Sequence, residues 1–178
     1  MLQQDHVILV NEKDEPTGTM EKLQAHQEGR LHRAFSIFIF DFQNRLLLQK
    51  RAHEKYHSAN LWSNTCCSHP APHETLASAM QRKLPQEMGF TCDLKKVFEF
   101  TYKAALENGL TEHELDHVYI GRWDGQPRPN SSEVSSWKWE TLDNIRQLLK
   151  YHPASFTPWF KLLFERVAGI IELKEDAH

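Results

Sequence analysis

Cysteine is scarce in this sequence: three residues in 178, with two of them adjacent at Cys66 and Cys67. An odd set cannot close on itself and neighbours pair poorly, which excludes a disulfide framework and predicts reduced thiols in a cytoplasmic compartment. Long apolar runs are missing too. No stretch approaches the roughly 20 residues that a bilayer span needs, so no membrane partner is expected. The opening MLQQDHVILVNEKDEP lacks the basic flank and cleavage site of an export signal. Positive charge is not in excess: the net charge of −3 argues against nucleic acid as the main partner and leaves room for a local basic patch holding a small anion. Repeats, low-complexity tracts and linkers are absent, so residues 1–178 are expected to form one domain. What remains, 40% hydrophobic and 25% charged residues, is the make-up of a globular protein. Histidine stands out, at eleven against twenty-one Lys plus Arg, which favours a metal site.

Apolar patterning then divides the chain. DHVILVNEKDEPTG, from Asp5, reads as a short strand entering a turn. RAFSIFIFDFQNRLLLQKRA, from Arg33, reads as two strands joined by a polar turn at 41–44, and NLWSNTCCSHP as a third extended segment stopped by Pro70. Between Glu74 and Met88, the residues Leu76, Met80, Leu84 and Met88 recur every four positions, one stripe of a helix. Pro85 inside it predicts a kink or a loosened end, because proline removes a donor and clashes with the preceding turn. KKVFEFTYKAAL and HELDHVYIGRWDG read as paired strands around Asn108-Gly109, and SWKWETL as a further strand. Helices close the chain over 142–150 and from Thr157, with Thr157 as cap and Pro158 at the first helical position. Strands outnumber helices, and an α/β (α+β) architecture with a mixed sheet and helices on its faces is expected.

The segment SNTCCSHP, Ser63 to Pro70, places two cysteines beside a histidine. Side chains two apart on a strand share a face, so extended TCCSHP pairs Cys67 with His69 and Cys66 with Ser68. The same rule joins Glu112 and Glu114 in TEHELDH with His113 opposite, while KLQAHQEGRLHRAF reads as a loop that supplies His26 and His32. Three imidazoles and two carboxylates suit six-coordinate Mn²⁺ or Fe²⁺, with Zn²⁺ as an alternative. Each residue also has a plain structural reading: a buried cysteine, a solvated edge strand, an aromatic core anchor at Trp159, ordinary surface lysines.

WSNTCCSHP, YKAALENGLTEHELDHVY and FTPWF together resemble the type I isopentenyl-diphosphate isomerases, members of the Nudix superfamily, and the resemblance runs from about His6 to Trp159. It implies a Nudix-like mixed sheet sandwiched by helices, and conversion of isopentenyl diphosphate to dimethylallyl diphosphate in isoprenoid biosynthesis. It implies that Cys67 is catalytic, that Glu114 is both metal ligand and acid/base, and that Tyr102 and Trp159 complete the catalytic set. The implied ligands of one transition metal (Mn, Zn or Fe) are His26, His32, His69, Glu112 and Glu114. Mg²⁺ carried with the substrate diphosphate would reach Glu87. Lys22, Arg51, Lys55 and Lys83 fall at or near the family's basic positions for the diphosphate. The implied partner is a small-molecule diphosphate, bound by a monomer or weak homodimer. The chemistry suits those groups. Protonating an alkene gives a tertiary carbocation, one group must give a proton and another remove one from the opposite face, and an indole face stabilises the cation by about 2 kcal/mol or more when desolvated.

The rival enzyme is a Nudix pyrophosphohydrolase acting on nucleoside diphosphate derivatives. Its box, G-x5-E-x7-R-E-U-x-E-E-x-G-U, is matched at Glu74, Arg82, Leu84, Glu87, Gly89 and Phe90. Ser68 replaces its glycine, and Lys83 and Gln86 replace two glutamates. Too few carboxylates remain to hold the hydrolytic ions, which favours the isomerase. A metal-dependent sensing module is the non-enzymatic alternative. Ser68, His73 and Pro85 depart from the isomerase pattern beside the Mg²⁺ position. His53, His57, His73, His113, His117, His152, Cys66 and Cys92 are assigned no function.

Overall fold

The computed structural model of the chain describes residues 5–177. Met1–Gln4, part of the stretch bearing on an export signal and on the 1–178 domain bounds, and His178 lie outside the described residues. The elements, in order, are β1 (His6–Val10), β2 (Pro16–Glu21), α1 (Lys22–Glu28), β3 (His32–Phe40), β4 (Leu46–Arg51), β5 (Trp62–Ser63), β6 (Cys66–Ser68), α2 (Leu76–Met88), β7 (Leu94–Ala105), β8 (Thr111–Arg122), β9 (Val134–Glu140), α3 (Leu142–Tyr151) and α4 (Pro158–Glu175). The strands join in one branched, mixed sheet. β3 runs parallel to β8 and antiparallel to β1, β4 and β6. β2 extends β1, β7 extends β8, and β5 and β9 both pair with β4. The expected mixed sheet with helices is the fold observed.

Alternation along β3 sorts the two faces of the sheet. Odd-numbered Phe35, Ile37 and Ile39 pack with Cys66, Met80, Leu84 and Met88 beneath α2. Even-numbered Phe38 and Phe40 pack with Val118, Ile120 and the α4 residues Phe160, Phe164 and Val167. That second face changes character halfway along. In β3 it reads His32, Ala34, Ser36, then Phe38 and Phe40; in β8 it reads Glu112, Glu114, Asp116, then Val118 and Ile120. Register sets His32 against Glu114 and Ser36 against Val118, so the polar halves lie together. On the next strand Tyr102 faces Glu114 and Phe100 faces Asp116. Aromatic side chains of α4 fill the apolar half. Apolar cover over the polar half would leave carboxylates unpaired, which is costly, and there the sheet lines a cavity.

Local structure differs from expectation at several points. KLQAHQEGRLHRAF is no loop: His26 sits on α1, and His32 opens β3. The Glu21 carboxylate accepts the Leu23 and Gln24 N–H groups at the helix start, and Gly29 in the left-handed region (φ 63°) ends it. NLWSNTCCSHP is split: β5 pairs with β4, whereas β6 pairs with β3. α2 continues through Pro85 to Met88, and the Gly89 N–H closes on the Pro85 carbonyl at 2.9 Å. Thr157 has the backbone of a helix cap but makes no side-chain cap bond; its hydroxyl meets Ser63 Oγ instead. Among the described residues no helix is long and apolar enough to cross a membrane.

Candidate active site

The polar half of the sheet, α1, the β4–β6 segment and the start of α4 enclose a cavity of about 540 Å³. Cys67, His69, Glu87, Glu112, Glu114 and Trp159 line it, together with Lys22, Arg51, Lys55 and Lys83. Cys67 and Glu114 project from the same sheet face, on strands either side of β3, rather than from facing layers.

At the inner end, one ligand atom each from His26, His32, His69 and Glu112 lie within 4.8 Å of one another. Glu114 Oε2 joins them, 2.7 Å from His69 Nε2 and 3.5 Å from His32 Nε2. His26 Nδ1 bonds the Lys22 carbonyl at 2.7 Å and His32 Nδ1 the Arg30 carbonyl at 2.8 Å. Those bonds assign the Nδ1 protons and turn both Nε2 atoms inward, the arrangement that readies an imidazole for a metal. His26 Nε2 and Glu112 Oε1 are 2.8 Å apart, yet neither makes a hydrogen bond of acceptable geometry among the described residues. His32 and His69 turn two Nε2 atoms toward each other at 3.3 Å. Two buried polar atoms left without a partner among converging nitrogen and carboxylate groups, His26 Nε2 and Glu112 Oε1, fit a cation between them, and nitrogen with carboxylate oxygen fits a divalent transition metal. Glu87 stands outside this group, held by Gln49 Nε2 at 3.3 Å and Lys83 Nζ at 3.6 Å.

Electrostatics follow from two buried carboxylates side by side. Burial and the Glu114 charge raise the Glu112 carboxyl, but His26 and His32 outweigh them and hold it below its ordinary value. Burial likewise opposes Glu114 ionisation, and contacts with His32 and His69 pull it well below. The Tyr102 hydroxyl donates to Glu114 Oε1. Burial, then the nearby Asp116 carboxyl, push the Cys67 thiol well above its ordinary value. Asp116, itself raised by burial and by Glu114, accepts a 2.6 Å bond from Ser36 Oγ, which lies 3.6 Å from Cys67 Sγ.

The outer end is basic. Lys22 pairs with Asp5 at 3.0 Å and Lys55 with Glu133. Arg51 sits with its guanidinium 5.3 Å from the Trp159 ring centroid, and its buried Nε has no hydrogen-bond partner among the described residues. The site residues expected from the sequence thus line the cavity, except His26, His32 and Tyr102, which reach it through Glu112 and Glu114. Sequence reasoning passed over others. His57 lines the cavity 3.7 Å from Glu112 and stacks edge-on to Trp159; Gln49 braces Glu87; Ser63 and Asn64 hold the wall. The Glu74–Arg82 match to the hydrolase box is an ion pair at 2.8 Å that also ties Ala71 N–H to α2.

Comparison with known proteins bears on the family and the fold. The NUDIX domain family matches residues 30–160. A Burkholderia multivorans protein named isopentenyl-diphosphate Delta-isomerase is 49% identical over 98% of this chain and 99% of its own length. A protein of the same name from Pectobacterium atrosepticum is 53% identical over 90% of each. Among solved structures, DR0079 from Deinococcus radiodurans shares the fold at 20% identity, with a TM-score of 0.76 over 91% of this chain and 98% of that one. A MutT protein from Methanosarcina mazei does so at 17% identity and a TM-score of 0.63, over 76% and 91%. The chain therefore belongs to the isopentenyl-diphosphate Delta-isomerase family, built on the NUDIX domain.

Proposed function

We propose that this chain, one domain working in the cytoplasm, isomerises isopentenyl diphosphate to dimethylallyl diphosphate, with Cys67 and Glu114 exchanging protons with the substrate. The observation that carries the reading is one cavity with a thiol and a histidine-tethered carboxyl at its polar end and cationic side chains at its rim. Arg51 Nε, a buried donor without a partner, is the first anchor for the diphosphate, with Lys22, Lys55 and Lys83 around it. A divalent transition metal (Mn, Fe or Zn) held by His26, His32, His69, Glu112 and Glu114 would fix Glu114 and tune its acidity. Mg²⁺ would join Glu87 to the diphosphate, as hard oxygen donors suit it.

The residues divide the work. The diphosphate anchors orient the alkene toward the Cys67–Glu114 pair. One of the two gives a proton to the terminal carbon and the other removes one from the neighbouring methylene; the reversible reaction uses each in both roles. Tyr102 donates its hydroxyl hydrogen to Glu114 Oε1, the oxygen turned away from His32 and His69, and so holds the carboxyl in its orientation. Trp159, 4% exposed, gives the tertiary cation an indole and keeps water away. On α2, Lys83 and Gln86 stand where a hydrolase needs carboxylates, so turnover of nucleoside diphosphate derivatives is not expected.

The test is incubation of isopentenyl diphosphate in D₂O with Mg²⁺ and Mn²⁺, followed by NMR. Wild type should yield the allylic product with deuterium incorporated, and Cys67→Ala and Glu114→Gln should each lose about 10³-fold or more in rate. If both variants match wild type, these two residues are not the proton-transfer pair.

A further inference from the structure

A hydroxyl in the wall beside a carbocation is a hazard, because a free oxygen lone pair can trap the cation. Ser63 lines the cavity with Cys67 and Trp159. Its hydrogen bonds admit one arrangement. Indole nitrogen can only donate, so Trp159 Nε1–H donates to Ser63 Oγ at 2.9 Å. Asn64 Nδ2 is committed to the Ile37 and Cys66 carbonyls, each at 3.1 Å, which turns Oδ1 toward Ser63 and Cys67. Oδ1 can only accept, so Ser63 Oγ–H and Cys67 Sγ–H both donate to it, each at 3.0 Å. Thr157 Oγ1–H then donates to the remaining Ser63 lone pair at 3.0 Å. Ser63, Asn64 and Thr157 are buried, and the chain of bonds from Trp159 to Cys67 is complete.

We infer that Ser63 and Asn64 are positioning residues, which lock the Trp159 indole and the Cys67 thiol into one mutual orientation and occupy both Ser63 lone pairs. The inference rests on the isomerase reading for its catalytic consequence; the geometry it describes does not. It also gives Thr157 a use other than capping α4. Ser63 does not touch the proton in flight and acts through its neighbours; Asn64 Oδ1 accepts the resting Cys67 thiol hydrogen and so orients it.

The test uses the full-length, metal-loaded protein and Ser63→Ala. Its kcat should fall about tenfold, the worth of one to two neutral hydrogen bonds, while KM for isopentenyl diphosphate stays within about twofold. At fixed pH, the iodoacetamide alkylation rate of Cys67 relative to Cys92 in the same molecule should shift by about threefold or more, although Ser63 makes no hydrogen bond to Cys67. Ser63→Thr, which keeps the hydroxyl, should restore both. Unchanged kcat and alkylation ratio in Ser63→Ala overturn the proposal, as does a KM rise that accounts for the whole loss. Should Ser63→Ala fail to fold, Trp159→Phe deletes the indole donor but keeps a ring; an unchanged alkylation ratio there overturns the proposal too. A wild type without isomerisation defeats the functional reading alone, and the alkylation ratio still decides this one.

Discussion

His32 shows how one residue can be pulled between proton and metal. Burial disfavours its imidazolium, yet contacts with Glu112 and Glu114 outweigh burial and raise it to about 10. A metal ligand must offer a lone pair at Nε2, so metal uptake displaces that proton. At pH 8, binding of Zn²⁺ or Mn²⁺ should release about one proton per ion, read from calorimetric enthalpies in buffers of different ionisation heat. Absence of a buffer dependence would show that His32 is neutral before the ion arrives. Stability follows with a definite sign. The folded value lies above the unfolded value of about 6.5, so the proton stabilises the chelated protein fully below about pH 6.5. That contribution is lost as pH rises through about 10. The Tm of chelated protein should therefore fall between pH 7 and 10, and that of metal-loaded protein should fall less.

At the scale of elements, α1 places His26 although it is only seven residues long. Such a helix is not stable alone, and the Glu21 side chain with two backbone N–H groups at its start holds it. Glu21→Ala should cost about 1 kcal/mol of stability, from urea unfolding, and weaken metal affinity more than that loss explains, because the ligand loses its platform. α2 depends on its opposite end. Gly89 has φ 78°, and a Cβ there would lie 2.4 Å from the Arg128 carbonyl oxygen. Gly89→Ala should cost about 2 kcal/mol or more and lower Tm by several degrees in calorimetry, moving the helix that carries Glu87. These two helices also mark what a sequence reader can see. The Leu76–Met88 stripe was legible because its period is that of a helix. α1 was not, since polar residues dominate it and its cap is a glutamate beside a strand. Nor was the break between β5 and β6, because their partners β4 and β3 are chosen by tertiary pairing rather than local pattern.

Across the whole molecule, the family resemblance named most of the site, and the period-two rule independently paired two parts of it. The rule put Glu112 with Glu114 and Cys67 with His69, and the fold keeps both pairs facing one cavity. What it could not reveal was the convergence of α1, β3, the segment after β6, and β8, because His69 and Glu112 lie far from each other and from the His26–His32 pair in the chain. Ser63, Asn64, Gln49 and His57 stayed hidden for a related reason: their roles are hydrogen bonds and contacts to partners that no spacing announces. The convergence has a thermodynamic consequence. An ion shared by four elements binds the folded chain and has no comparable site in the unfolded one, so it adds stability by mass action. At a free Mn²⁺ or Zn²⁺ concentration of about 100 Kd the gain should be about 2.7 kcal/mol. For a chain of this size that corresponds to a rise in Tm of about 5–10 °C, measured by differential scanning calorimetry against chelated protein. His26→Ala should abolish most of the rise, since it removes one of the four elements. Glu87→Gln should leave it intact, because Glu87 stands outside the cluster. The opposite ranking of the two variants would move the transition-metal site from the histidines to α2.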